Sequence, residues 1–162
     1  HVPCMTHANL PIRDLLPIMA QECPEFAGIK YTDENLCEFQ RCVDYSDRFQ
    51  IMFGRDEMLL ASLAAGAEAG VGSTYNYFPR LYRELLKAYE AGDIERARSF
   101  QELTHRGIVL IGRYGMSSQK LYMKFAGLDV GPMRLPAPRL PLERELAFRR
   151  DIAEAGLDPW LG

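Results

Sequence analysis

Lys30 lies inside a short segment, residues 26–33 (FAGIKYTD), whose other members are typical of a buried strand. Ile29 and Tyr31 favour strand structure, so the ammonium group between them must either reach water or be held inside for chemistry. On spacing alone, a lysine that reaches water from the edge of a sheet is the commoner outcome. A desolvated lysine instead favours the neutral amine, which is a nucleophile and can form a Schiff base with a carbonyl substrate.

The segment FGRDE, residues 53–57, carries two adjacent carboxylates directly after a second predicted strand. Asp56 and Glu57 could accept hydrogen bonds from substrate hydroxyl groups, and Gly54 would let the backbone approach a ligand closely. The same acids are also favourable in the first turn of a helix because they complement its dipole. Both interpretations stay open at this point.

The segment GVGSTYN, residues 70–76, is the most unusual in the chain. Two glycines weaken a short strand and indicate close approach of the backbone to another group. Ser73 and Thr74 follow where a helix could begin, with N–H groups that could face an anion. The alternative is a glycine-marked bulge before a helix cap.

Three consecutive strand–helix units are predicted to position these segments. The predicted strands are residues 25–31, 48–54 and 67–74, and the predicted helices are residues 32–46, 55–66 and 79–92. Thr32 or Asp33 is the expected N-cap of the first of these helices, and Gly66 is expected to close the second. This regular alternation indicates parallel strands joined by helical crossovers. In such α/β folds, ligands bind at the C-terminal ends of the strands.

Outside these units the pattern is helical. A helix within residues 9–23 is expected to kink or to be confined at Pro17, and residues 1–3 could be the tail of a strand. Helices are predicted over residues 93–115 and 117–127, followed by a proline-rich extended segment and a further helix to about Ala155. We therefore predict strand–helix units over residues 1–92 and a helical region of the same domain over residues 93–162.

The amino-acid composition argues against several classes of function. The 162 residues are 48% hydrophobic, which is enough for one domain with a sizeable core, and the formal net charge of -3 without a basic run argues against nucleic acid as a partner. No apolar stretch approaches the roughly 20 residues that span a bilayer. Four cysteines without a Cys-x-x-Cys pair and three scattered histidines argue against zinc and are typical of reduced thiols in a cytoplasmic protein. The chain begins at His1 rather than at a methionine, which leaves the native start open.

The segments GIKYTD, FGRDE and GVGSTYN stand in the order and spacing of the N-acetylneuraminate lyases, within the dihydrodipicolinate synthase superfamily, and the chain resembles this family from His1 to about Pro141. The resemblance implies an α/β fold that is the second half of a TIM (β/α)₈ barrel followed by C-terminal helices. It implies a class I aldolase that cleaves N-acetylneuraminate, a sialic acid, reversibly to N-acetylmannosamine and pyruvate, with no metal or other cofactor. It also implies a homo-oligomer, commonly a tetramer.

The resemblance assigns roles to individual residues. Lys30 looks like the lysine that forms the imine with pyruvate. The residues that fall where family members bind substrate are Thr32, Gly54, Asp56, Glu57 and Ser73. Asp56 and Glu57 would engage the hydroxylated tail of the sugar acid.

Two positions differ from the residues expected in related families of the superfamily. Met5 stands where dihydrodipicolinate synthases carry an arginine that binds a dicarboxylate partner, and this favours the lyases. Arg55 replaces the uncharged residue expected between Gly54 and Asp56, which bears on the exact substrate.

The chain is short for the implied fold, because a (β/α)₈ barrel needs roughly 250 residues. The loop that grips the pyruvate carboxylate belongs to the first half, and the proton-shuttling tyrosine of the family would stand immediately before His1. Residues 1–162 alone are therefore expected to be inactive and to self-associate through open sheet edges near Pro3 and along residues 69–73. A different pyruvate-dependent aldolase or dehydratase, and a non-catalytic half-barrel remnant or interaction protein, are the alternatives to the lyase.

Overall fold

The computed structural model describes all 162 residues, and its internal contacts divide into two compact units, His1–Gly72 and Ser73–Gly162. The three strands lie in the first unit, and the second contains helices and turns. No helix in either unit combines the length and the apolar character needed to cross a membrane.

The first unit alternates helices and parallel strands, as the sequence predicts. Its helices are α1 (Pro3–Thr6), α2 (Ile12–Glu22), α3 (Leu36–Val43) and α4 (Leu59–Ala64), and its strands are β1 (Gly28–Tyr31), β2 (Gln50–Phe53) and β3 (Ala69–Gly70). The sheet order is β1-β2-β3, and both pairings are parallel. Gly66 follows α4 with a positive φ of 95°, which confirms its predicted role at the end of this helix.

One face of the sheet packs against helices. Tyr31 of β1 and Phe53 of β2 lie level with each other and are fully buried, and both rings contact Phe39 of α3, with centroids 5.6 and 4.9 Å away. Ile12 and Leu16 of α2 belong to the same buried cluster. This apolar layer fixes which side of each strand faces inward, since successive side chains of a strand point to opposite faces.

The other face of the sheet is largely uncovered. Lys30 lies level with Met52, and Met52 lies level with Ala69. Lys30 and Ala69 are exposed, and Val71 beyond the end of β3 is 39% exposed. The chemistry-bearing face of the three strands is therefore open in this chain.

His1 extends the sheet beside β1. Its terminal amino group donates to the Lys30 carbonyl at 2.9 Å, and its carbonyl accepts from the Thr32 N–H at 2.8 Å. This is the bonding pattern of a parallel ladder centred on Tyr31, so the expected strand tail at the start of the chain is present at His1. Residues Pro3–Thr6 then turn into α1.

Two local predictions are corrected by the structure. The N-cap of α3 is Asn35, whose side chain accepts from the Glu38 N–H at 3.1 Å, rather than Thr32 or Asp33. Thr32 still pairs with His1, and α3 begins only at Leu36, so Thr32 is too far from the first turn to cap it. Pro17 does not confine α2, which runs through it from Ile12 to Glu22.

The second unit consists of α5 (Pro79–Glu90), α6 (Ile94–Tyr114), α7 (Ser118–Phe125) and α8 (Leu142–Glu154), with single turns at Thr74–Asn76 and Asp158–Trp160. Its core centres on Tyr122, whose ring stacks on Tyr77 at 4.6 Å and meets Phe148 edge-on at 4.7 Å. The Tyr122 hydroxyl donates to the Gly107 carbonyl, and burial raises the pKa of this phenol. The predicted change of organisation between residues 92 and 93 falls inside this unit and stays a prediction.

The four cysteines are predicted to differ in reactivity. Cys4, Cys23 and Cys37 are exposed, whereas Cys42 is fully buried under the sheet, where burial and the neighbouring Glu38 carboxylate raise its pKa to about 11. Titration with a disulfide reagent at pH 8 should therefore show three fast thiols and one that reacts only when the protein unfolds. Cys42→Ala should remove the slow thiol alone, and four equal rates would contradict the packing described here.

Candidate active site

Lys30, Thr32 and Gly54 meet at the carboxyl end of β1 and β2. Lys30 and Thr32 are two residues apart and share a face, and the register that pairs Tyr31 with Phe53 brings Thr32 level with Gly54. A Cβ atom on Gly54 would lie 2.0 Å from the Thr32 Oγ1 and 3.0 Å from the Lys30 Cε. Glycine is therefore required here because the two neighbouring side chains occupy the space above it.

Lys30 is exposed, which is the commoner of the two outcomes that its sequence context leaves open. A desolvated lysine would need further strands to cover the inner face of the sheet, as in a closed barrel. Here the helices cover only the face that carries Tyr31 and Phe53. The amine of Lys30 is accessible to a ligand from the open side.

Thr32 contributes an unusual polar atom. Its Oγ1 is buried and has no hydrogen-bond partner in the protein, although buried hydroxyl groups nearly always have one. The atom lies next to Gly54 and to the aliphatic chain of Lys30. A hydroxyl in this position is available to hydrogen-bond a ligand that reaches the lysine.

Asp56 is 8% exposed and begins the turn Asp56–Met58 after β2. A Cβ atom on Gly72 would lie 2.7 Å from the Asp56 Cγ and 2.8 Å from its Oδ2. The close approach that the glycine-rich segment predicts is therefore made to this carboxyl group, which Gly72 allows to sit against the backbone.

Glu57 is held by Arg55. The Arg55 Nη1 lies 3.0 Å from the Glu57 Oε1, and its Nη2 lies 3.1 Å from the Oε1 of Glu34, in the loop after β1. Burial alone lowers the pKa of Arg55, but the two carboxylates raise it overall. Glu34 was not identified from the sequence, since only the three-dimensional approach of the two loops brings it to Arg55.

Ser73 is the first residue of the second unit and is exposed. Its carbonyl accepts from the backbone N–H and from the side-chain amide of Asn76. The helix expected at this point begins only at Pro79, and the intervening residues Thr74–Asn76 form a single turn. Thr74 is buried, with its Oγ1 2.6 Å from the Tyr82 hydroxyl, so it supports the packing of α5.

The parallel strands, with helices on one face, define an α/β protein. Lys30 lies near the carboxyl end of β1, and the Thr32 hydroxyl and the carboxylates follow the strands, which is where α/β barrels bind ligands. The sequence pattern of the Dihydrodipicolinate synthetase family matches residues 1–155, and the chain belongs to this family.

Named relatives agree with this membership. The chain is 37% identical to the N-acetylneuraminate lyase of Mus musculus and 35% identical to that of Homo sapiens, in each case over 162 residues that cover 97% of this chain and 49% of the relative. Among solved structures, the N-acetylneuraminate lyase of Proteus mirabilis superimposes with a TM-score of 0.90 at 30% identity, covering 96% of this chain and 53% of that one. The corresponding enzyme of Aliivibrio salmonicida gives a TM-score of 0.86, also at 30% identity, with coverages of 91% and 50%.

The chain thus spans about half the length of the curated relatives that it matches. It has the α/β fold that the sequence predicted, the second half of a TIM (β/α)₈ barrel followed by C-terminal helices.

Gly54→Ala tests the contact between the glycine, Thr32 and Lys30. The new methyl group overlaps the Thr32 hydroxyl, so we expect the mutant to lose about 1–3 kcal/mol of stability, the usual cost of overpacking. Gly112→Ala is the matched control, because Gly112 lies in α6 with open space at its Cβ position and alanine is favoured in helices. Thermal unfolding should separate the two mutants, and a Gly54→Ala protein as stable as the parent would contradict the geometry.

Proposed function

We propose that this chain carries the Schiff-base half of a class I aldolase that cleaves N-acetylneuraminate reversibly to N-acetylmannosamine and pyruvate. The observation that supports it most is the accessible Lys30 amine beside the unpartnered Thr32 hydroxyl, above Gly54, in a chain whose relatives are named N-acetylneuraminate lyases. The activity belongs to the full-length gene product, since the relatives are about twice as long.

In this proposal Lys30 forms and breaks the covalent bond. The neutral amine adds to the ketone carbon of the sugar acid. The carbinol oxygen takes one proton from the amine and one from solvent and leaves as water, so that a protonated imine remains. The imine draws in the electrons of the C3–C4 bond as that bond breaks, while the C4 hydroxyl loses its proton and becomes the aldehyde of N-acetylmannosamine. Protonation of the resulting enamine at C3 and addition of water then release pyruvate and restore the lysine.

Thr32 is proposed to orient the bound keto acid. Its buried Oγ1 lacks a partner in the protein and lies next to the lysine chain, so it can donate to a carboxylate oxygen of the imine. Held in this way, the reacting carbon stays within reach of the Lys30 amine, which is a positional contribution to the rate.

Proton transfer is proposed to involve the residue that precedes His1. Because His1 lies level with Tyr31, a residue before it in a continuing strand would lie level with Lys30 and on the same face. The proton-shuttling tyrosine of the family would occupy this place. The register of His1 against Tyr31 therefore supports a role in proton transfer for the residue before His1, and no shift of the strands is needed to bring it level with Lys30.

Substrate recognition is proposed for Asp56, Glu57 and Ser73. The two carboxylates would accept hydrogen bonds from the hydroxylated tail, and Ser73 would offer a further polar contact. A cytoplasmic location and a homo-oligomeric assembly complete the proposal. The free thiol state of all four cysteines is compatible with a reducing compartment.

Reductive trapping tests the proposed nucleophile. Borohydride treatment of the full-length gene product with pyruvate should attach a stable adduct to Lys30, because reduction fixes the imine as a secondary amine. The other lysines of this chain, Lys87, Lys120 and Lys124, serve as internal controls in the peptide map. Lys30→Arg, which keeps the charge but cannot form the imine, should abolish the adduct. An adduct on another lysine would exclude Lys30 as the nucleophile. The lack of any adduct would exclude the proposed function and favour a non-catalytic role.

Asp56→Asn tests substrate recognition separately from imine formation. The amide keeps the size of the side chain but replaces one acceptor oxygen with a donor, so we expect kcat/KM for N-acetylneuraminate to fall about tenfold, equal to the loss of one hydrogen bond of about 1.4 kcal/mol. Borohydride trapping of pyruvate should be unchanged. Equal losses in cleavage and in trapping would show that Asp56 supports the fold and does not bind the substrate.

A further inference from the structure

Arg55 joins the two loops that follow β1 and β2. Its guanidinium lies between the carboxylates of Glu34 and Glu57, with the N···O distances of 3.1 and 3.0 Å given above. The Arg55 side chain is 21% exposed, less than the side chains of both partners. Arg55 stands between Gly54 and Asp56 in the chain, so the triad of Glu34, Arg55 and Glu57 adjoins the proposed site.

The guanidinium restrains Glu57 in particular. A glutamate side chain has several rotatable bonds, and fixing them costs conformational entropy when a ligand binds. Here a charge-assisted hydrogen bond to Arg55 fixes the Glu57 carboxylate before any ligand arrives. A carboxylate has about four acceptor positions, so a carboxylate bonded to a guanidinium can also accept from a hydroxyl group.

The charge balance of the triad bears on the kind of ligand. Two carboxylates face one guanidinium, and Asp56 adds a third carboxyl group nearby. The edge of the site therefore carries more acceptors and more negative charge than positive charge. Hydroxyl donors are favoured there, whereas a phosphate or a carboxylate on the substrate tail would be repelled.

We propose that Arg55 is a positioning residue that holds Glu57 as an acceptor for the hydroxyl groups of the aldehyde partner, so that the site selects an uncharged polyhydroxylated aldehyde over a phosphorylated one. This inference rests on the proposed function and deepens it. Arg55 touches neither lysine nor keto acid in this scheme and acts only through Glu57.

Steady-state kinetics in the synthetic direction test the inference on the full-length gene product. N-Acetylmannosamine is the probe, and its KM is measured separately from the KM of pyruvate. Arg55→Ala should raise the KM of the aldehyde about tenfold and leave the pyruvate KM and the borohydride trapping unchanged. Arg55→Lys should restore part of the loss, since a single ammonium replaces one of the two contacts.

A double-mutant cycle separates positioning from simple cross-linking of the loops. Because Arg55 acts through Glu57, the double mutant Arg55→Ala/Glu57→Gln should be no worse than Glu57→Gln alone. Arg98→Ala is the matched control, because Arg98 makes a comparable ion pair with Glu95 on the exposed face of α6, and it should change no kinetic constant.

The possible outcomes are distinguishable. Additive losses in the cycle, a parallel rise in the pyruvate KM, or a phosphorylated sugar aldehyde used better than N-acetylmannosamine would each overturn the role of Arg55 while the lysine adduct stays in place. Absence of the adduct at Lys30 in the parent protein would instead overturn the proposed function, and this inference with it. Melting temperatures of the variants show whether any of them has lost its fold, and Arg55→Lys supplies the test if Arg55→Ala is unstable.

Discussion

The parallel register of β1 against β2 is the constraint on which the rest of the first unit depends. It sets Tyr31 level with Phe53 on the buried face and Lys30 level with Met52 on the open face. A slip of one residue would bury the ammonium among aromatic rings and expose two large apolar side chains. The aromatic packing around Phe39 therefore fixes where the lysine, the threonine hydroxyl and Gly54 meet.

The same register links local structure to chemistry beyond the strands. Thr32 stays in the ladder with His1, which delays the start of α3 to Asn35 and keeps the threonine on the face of Lys30. The loops that follow then bring Glu34 to Arg55, and the glycine at position 72 admits the Asp56 carboxyl group. Backbone pairing thus places Lys30, Thr32 and Gly54, and polar contacts hold Arg55 and Glu57 in the loop that follows.

Much of this arrangement could be predicted from the sequence, because it depends on short-range patterns. Strand-favouring residue types marked β1 and β2, helical patterns marked α5 and α6, and the order of three segments indicated the family. Long-range features could not be predicted in the same way. The cap at Asn35 depends on how far the strand pairing runs past β1, and the contact between Glu34 and Arg55 depends on how two loops approach each other.

We propose that the open face of β1 and β2 holds a keto acid covalently at Lys30. A crystal structure of the full-length gene product soaked with pyruvate is the decisive measurement. We expect continuous electron density from the Lys30 Nζ to the C2 atom of pyruvate, with the Thr32 Oγ1 within hydrogen-bonding distance of the bound carboxylate. Density that ends at the Nζ atom, with pyruvate bound elsewhere or not at all, would exclude a Schiff base at Lys30.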